Sequence, residues 1–250
     1  MGVALLAGGG RARPRLCLAV AEATGAGNLD LATAYAIALE LAHAASLVHD
    51  DLPAFDDAAQ RRGRPTVHVL YGVPTAVLVG DGLLVASFDV LARTATVAPD
   101  RVARALGILA RALGAERGLV AGQAWESEVA VDLDRYHHAK TGGLFEAAAC
   151  LGALSSGADV EPFRAFGARI GHAYQTADDL LDATGTQSEA GKPVGLDERH
   201  GRPSAARTFG VARARANLSR MVAEAIAAIP PAADRAPLVR WVDTLAAKMR

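Results

Sequence analysis

Cysteine, aromatic side chains and a surplus of either charge are scarce in this chain, and each scarcity removes a class of function. Only Cys17 and Cys150 are present, far apart and outside any C-x-x-C spacing, so neither a disulfide framework nor a thiolate zinc site is expected. That usage fits a reducing, cytoplasmic setting. Aromatic residues make up 5% of the chain, and strand-forming side chains are sparse beside abundant alanine, which argues against a sheet-built fold. Lys and Arg number 26 against 27 Asp and Glu, so there is no global basic field for nucleic-acid binding. The expected partner is a small molecule.

Long uninterrupted apolar runs are missing too. Residues 1–7 give way to Gly8-Gly9-Gly10 and then Arg11, Arg13 and Arg15, too soon for a signal sequence. Residues 73–92 are broken by Asp81 and Asp89 and contain Pro74, Gly80 and Gly82, so no membrane span is expected. What is present is helical. Apolar side chains make up 51% of 250 residues, enough for a sizeable core. They recur at helical intervals in Ile37, Leu41, Ala44 and Val48, and again in Phe163, Phe166, Ile170, Tyr174, Ala177 and Leu181. Glycine and proline punctuate the chain at residues 25–28, 63–65, 72–74, 114–118, 155–157, 185–195 and 201–203, and at Pro53, Pro99, Gly142-Gly143 and Pro230-Pro231. About eight or nine helices follow. With no linker-like segment, an all-α single domain over residues 1–250 is expected.

Two acidic clusters stand out, Asp50-Asp51 with Asp56 and Asp178-Asp179 with Asp182. In the first helix His43, Ser46 and Asp50 fall at i, i+3 and i+7; in the second, Gln175, Asp178 and Asp182 do the same. Each cluster lies near the C-terminal end of its predicted helix. Backbone carbonyls make that end electronegative and neighbouring carboxylates repel, at a few tenths of a kcal/mol or more each. One such cluster would pass as solvated turn residues around Pro53. Two, each flanked by leucine and valine or by leucines, call for cations, and a few hard oxygens suit Mg²⁺ completed by water and phosphate oxygens. Arg61-Arg62, Lys140, Lys192, Arg11 and Arg13 recur beside glycine or in loops, where backbone and cation can both approach an anion.

These residues resemble the trans-isoprenyl diphosphate synthases, the family of farnesyl and geranylgeranyl diphosphate synthases, from about Gly8 to the C-terminus. GGGRARP at residues 8–14 is similar to that family's GGKRxRP, DDLPAFDDAAQRRGRPTVH at 50–68 to its first aspartate-rich motif, and YQTADDLLD at 174–182 to its second. Residues 118–128 with Gly122-Gln123, Lys140-Thr141-Gly142 and residues 191–195 agree as well. The resemblance implies a bundle of long helices around a deep apolar cavity, a homodimer, with a hetero-oligomer as the other option, and three Mg²⁺ ions when substrate is bound. By that resemblance Asp50, Asp56 and Asp178 hold Mg²⁺ directly, and Asp51, Asp179 and Asp182 assist. Arg61, Lys140 and Lys192 hold the allylic diphosphate, and Thr141 and Gln175 turn their oxygens to the allylic carbon. His43, Arg13 and Arg62, with Arg11 and Arg202 as further cations, hold isopentenyl diphosphate.

The pattern also departs from the family. Gly10 stands where the family has a lysine for isopentenyl diphosphate, and the N-terminal portion is one or two helices shorter than usual. The implied function is Mg²⁺-dependent condensation of isopentenyl diphosphate with an allylic diphosphate, to farnesyl or rather geranylgeranyl length. Its rival is a terpene-synthase-like lyase or a regulatory subunit whose isopentenyl site has decayed. Ala45 and Ser46, about one turn before Asp50, are the candidate chain-length residues. A small side chain there leaves room for a longer tail.

Overall fold

The computed structural model describes residues 1–6, 8–26, 29–126, 128, 131–185, 204–231 and 233–248. Thirteen α-helices occur among them: α1 (Gly2–Leu5), α2 (Ala12–Ala23), α3 (Asp30–Asp50), α4 (Val67–Tyr71), α5 (Val73–Arg93), α6 (Pro99–Leu113), α7 (Leu119–Trp125), α8 (Leu133–His137), α9 (Gly143–Ser156), α10 (Glu161–Thr184), α11 (Ala205–Phe209), α12 (Val211–Ala227) and α13 (Arg235–Lys248). The count exceeds the eight or nine expected because five are short, of seven residues or fewer, while eight run twelve residues or longer. Among the described residues the strands are confined to a two-stranded antiparallel ribbon, β1 (Gln60–Arg61) with β2 (Arg64–Pro65).

The helices arrange around α9. Its sequence, GLFEAAACLGALSS, has no polar face beyond Glu146 and its terminal serines, and every residue from Gly143 to Ser155 except Glu146 is buried. A helix apolar all round must sit inside. It packs against α2, α3, α6 and α10, so both acid-bearing helices rest on one central rod. Cys150 lies in this core, where burial pushes its thiol up to about 12, and Cys17 is buried opposite on α2.

The predicted stripe on α10 lies inward, with Phe163, Phe166 and Ile170 at 2% exposure or less. The stripe on α3 is only partly right, because Ile37 is 48% exposed. Ala32, Tyr35, Ala36, Ala38 and Leu39 meet the core instead, and small alanines widen the buried face until Ile37 falls outside it. Gly142-Gly143 is a second correction, since the pair breaks nothing. Helix runs from Leu133 to Ser156 through a π turn at His138–Gly142. The glycines serve approach rather than termination, for a Cβ on Gly171 would stand 2.5 Å from Gly142 Cα.

Candidate active site

The first acidic cluster forms where α3 stops. Asp50 ends the helix and Asp51 caps it; the chain then folds back, so that the Asp56 N–H donates to the Asp50 carbonyl at 2.9 Å. The β1–β2 ribbon follows, turning through Arg62 and Gly63 at φ 54° and 73°, the two positive values a tight hairpin requires. It aims Arg61 at the cluster: Nε donates to Asp51 at 2.7 Å, and Nη2 lies 2.7 Å from Asp51 and 3.8 Å from Asp56. A left-handed arginine costs about 1–2 kcal/mol. The bond from Arg62 to the Gly8 carbonyl is charge-assisted and of a size, about 1.5–3 kcal/mol, that offsets this cost. Arg11, Asp57 and Arg62 are the positive-φ non-glycine residues among those described, so backbone strain gathers at this end of the fold.

Burial raises the pKa of Asp50, and Asp56 and Glu126 push it the same way, against the pull of Lys140 and Arg61. Asp51 is raised by burial despite its bond to Arg61. Burial opposes the charge of Arg61, but the Asp51 bond and the nearby Asp51, Asp50 and Asp56 charges together hold its pKa above the ordinary value. Carboxylates held in this state gain from any added cation.

Lys140 and Thr141 come from the π turn, an irregularity found often at functional positions. Lys140 bonds Glu126, whose carboxylate also takes the Tyr136 hydroxyl at 2.7 Å and the Gln123 amide at 3.0 Å. Gly122 permits this closeness, since a Cβ there would stand 2.6 Å from the Lys140 backbone nitrogen. Thr141 donates to the Gln175 carbonyl oxygen on α10. Consecutive residues of one turn thus serve both clusters, Lys140 through its charge on Asp50 and Thr141 through Gln175.

On α10, Asp178 borders a cavity and bears electrostatically on Arg13 and Tyr174, while Asp182, one turn on, is buried. Asp179 is turned elsewhere. At 1% exposure its Oδ1 accepts from Gln175 Nε2 at 2.8 Å and its Oδ2 from the Ala205 N–H at 2.6 Å, with His137 Nε2 3.1 Å from Oδ2. Both Asp179 oxygens are thus engaged by protein donors inside the fold, unlike those of an outward-facing metal ligand.

Arg13, in the first turn of α2, is 7% exposed, 4.7 Å above the Phe145 ring and 5.7 Å from that of Tyr174. Its Nη1 lies 3.4 Å from His43 Nε2. Burial lowers the pKa of Arg13, and that of His43 falls well below the ordinary range through burial and the charges of Arg13, Arg62, Arg61 and Arg11. Four guanidinium groups around one neutral imidazole suit a polyanion. Arg11 is tied to Glu40 and the Leu5 carbonyl, whereas Gly10 and the exposed Arg15 border the cavity.

The cavity, about 1270 Å³, lies between α2, α10, α12 and α13 and meets the site at Gly10, Tyr174 and Asp178. Ala45 is elsewhere, 3% exposed and packed with Val48, Ala76 and Leu83 where α3 meets α5, and Ser46 bonds the His43 carbonyl at 2.8 Å. Lys192 and Arg202 lie outside the described residues. Among those described, no three carboxylate, imidazole or thiol groups converge to enclose a cation. This donor set fits Mg²⁺, which keeps its waters and shares phosphate oxygens, rather than an ion needing a full protein cage.

Three participants escape a motif-based view: Glu126, Tyr136 and His137. For Glu126 the signal was available, an acid three residues past Gln123 in a block already singled out. Tyr136 and His137 carry no signal until the π turn places them.

Comparison with known proteins gives a consistent result. The polyprenyl synthetase family profile matches residues 1–236. The geranylgeranyl diphosphate synthase of Cereibacter sphaeroides is 49% identical over 246 residues, covering 98% of this chain and 85% of that protein. The Rhodobacter capsulatus protein of the same name is 48% identical, with 97% and 84% covered. Among solved structures, a Helicobacter pylori geranyltransferase complexed with magnesium and isoprenyl diphosphate superposes with a TM-score of 0.85 at 31% identity, covering 98% of this chain and 86% of that one.

Proposed function

The chain belongs to the polyprenyl synthetase family, and from that premise we propose a Mg²⁺-dependent prenyltransferase that condenses isopentenyl diphosphate with an allylic diphosphate to a geranylgeranyl-length product. The observation that carries this is the π turn, from which Lys140 reaches toward the first acidic cluster and Thr141 toward the second. The length assignment draws support from the two bacterial synthases named for that product.

Asp50, Asp56 and Asp178 would hold Mg²⁺, with Asp51 and Asp182 behind them; bound there, the ions would take up charge on the departing diphosphate. Arg61, Lys140 and Lys192 hold the allylic diphosphate. Lys140 exchanges its bond to Glu126 for phosphate oxygen, at little cost because one charge-assisted bond replaces another. Arg13, Arg62 and neutral His43 hold the diphosphate of isopentenyl diphosphate, with Arg11, Arg15 and Arg202 as outer cations. As the allylic C–O bond breaks, its electron pair leaves with diphosphate, and the Thr141 and Gln175 oxygens face the cationic carbon. The isopentenyl double bond then forms the new C–C bond, and a proton lost to diphosphate restores a double bond. The apolar surroundings exclude water from the cation.

A homodimer is supported by an unpartnered apolar face: Val69, Leu70 and Tyr71 of α4 and Val73, Val77, Leu78 and Val85 of α5 are each 38% exposed or more. Both α3 and α5 are long and apolar enough to cross a membrane by composition, but they pack on each other, and α3 is half buried. The two buried thiols support a reducing, cytoplasmic setting. The function is tested by incubating the protein with Mg²⁺, isopentenyl diphosphate and each allylic diphosphate in turn and identifying the products. Lengthening by five-carbon units supports condensation, whereas release of diphosphate with no lengthened product would favour the lyase.

A further inference from the structure

We propose that His137 and Asp179 form a buried brace that sets the orientation of the Gln175 amide, and that both are positioning residues for the condensation rather than metal ligands. The inference rests on the catalytic role given to Gln175 above. An amide side chain can present either its oxygen or its NH₂ to a given neighbour, and rotation about one bond exchanges them. Asp179 Oδ1 accepts from Gln175, which therefore meets it with nitrogen, at 2.8 Å. The Gln175 oxygen is thereby turned the other way, where the Thr141 hydroxyl donates to it.

Asp179 is itself fixed from two directions. The Ala205 N–H at the start of α11 donates to Oδ2 at 2.6 Å, tying α10 to the chain that returns at residue 204. His137, at 0% exposure, brings Nε2 to 3.1 Å from the same oxygen, within ion-pair range but out of line with the ring N–H. The ring is held by its neighbours, Tyr136 at 5.8 Å and His172 at 5.7 Å between centroids, and Nδ1 has no partner among the described residues. His137 is the last residue of α8, immediately before the π turn. The end of α8 and the π turn after it therefore meet α10 twice, at His137–Asp179 and at Thr141–Gln175, one helical turn apart on α10. Two contacts fix an angle where one would leave a pivot.

The test is a set of double-mutant cycles read as kcat, KM for each diphosphate, and the Mg²⁺ concentration for half-maximal rate. Gln175→Ala is expected to lower kcat by about a hundred-fold, and His137→Leu by about ten-fold through misplacement of the amide, with both KM values and the Mg²⁺ requirement within about two-fold of the parent. His137→Gln keeps a polar nitrogen within reach of Asp179 and should restore most of the loss. In the double variant, His137→Leu should add nothing to Gln175→Ala, because the brace acts only through that amide. Asp179→Asn runs through the same cycle; should it fail to fold on losing its hold on Ala205, the His137 cycle decides alone. Additive losses, or a Mg²⁺ requirement raised ten-fold or more in Asp179→Asn, would overturn the brace. An unchanged kcat in Gln175→Ala would instead sink the catalytic role of Gln175 itself.

Discussion

The two acidic clusters look alike in sequence and differ in what the fold does with them. Each begins with an adjacent aspartate pair, and in each the second member is the more buried: Asp51 is 5% and Asp179 1% exposed, while Asp50 and Asp178 are half-buried. Asp51 sits past the end of α3, so the chain can fold back within ten residues and supply Arg61 from the ribbon. Asp179 lies inside α10, five residues before its end, and is served by Gln175 one turn earlier, by Ala205 and by His137. One inner aspartate is paired with a guanidinium, and the other accepts from an amide and a backbone N–H beside an imidazole. The lesson is that an aspartate pair is not two equal groups: one member stays half-buried and its neighbour, buried and hydrogen-bonded, fixes the local shape.

The most forceful way to break this comparison is to remove the outward members. Asp50→Ala and Asp178→Ala should each lower turnover by about a hundred-fold or more, since each leaves diphosphate charge without a counter-ion. Stability should separate from activity. Burial raises the folded-state pKa of Asp50 above its unfolded value. Its contribution to apo stability is therefore fully present below the unfolded carboxylate pKa and lost as pH rises through the folded one. Asp50→Asn should melt at or above the parent's temperature at pH 7.5 in the presence of a chelator, with the gain vanishing near pH 3. A lower melting temperature at pH 7.5 would contradict the electrostatic account of the first cluster.

A smaller effect sharpens the cation side. Gly10 borders the cavity and is not among the positive-φ glycines, unlike Gly8 and Gly9 at +86° and +110°. Gly10→Lys should lower the KM for isopentenyl diphosphate by about ten-fold, the value of one modest charge-assisted contact, with the allylic KM unchanged. A KM that stays put, with condensation intact, would mean that Arg15 already fills the role.

Smaller still in rate, though not in product, is the contrast one turn upstream of each cluster. Tyr174 precedes Asp178 by four residues and lays its ring beside Arg13, whereas Ala45 precedes Asp50 by five and leaves only a methyl group between α3 and α5. If the tail runs down α3, Ala45→Phe should shorten the product by one or more five-carbon units at unchanged Mg²⁺ dependence. Unchanged product length in a folded, active Ala45→Phe would remove α3 as the tail's path and turn attention to the cavity beside Asp178.

Much of this was legible in the residues because its causes are local. Alanine content and glycine and proline placement yield the long helices, and the i, i+3, i+7 spacing puts His43 and Asp50, or Gln175 and Asp178, on shared faces. What escaped depends on contacts distant in sequence. The inward turn of Asp179 requires Ala205, twenty-six residues away, and His137 from another helix. The π turn escaped because Gly142-Gly143 looks like a stop until α10 is seen to press on it. Glu126 stood in a block already singled out, but its bond to Lys140 in the π turn has no sequence period to announce it.

The smallest expected effect tests two histidines, His43 and His137, as a pair. His43 is surrounded by Arg13, Arg62, Arg61 and Arg11, while His137 faces Asp179, so the same side chain sits in opposite fields. For His43, burial and those arginines put the folded-state pKa well below its value in the unfolded chain, about 6.5. A depressed pKa contributes stability that is present above the unfolded value and is lost as pH falls toward the folded one, because only the unfolded chain takes up the proton. Between about pH 7 and pH 5 the parent should therefore lose a few degrees of melting temperature that His43→Gln does not. The amide keeps polar contact with Arg13 without titrating, so the pH slope rather than the absolute stability is the quantity to compare. Equal slopes in parent and variant would show that the arginines do not set the charge state of His43, and the anion site would then lose its neutral hydrogen-bonding member.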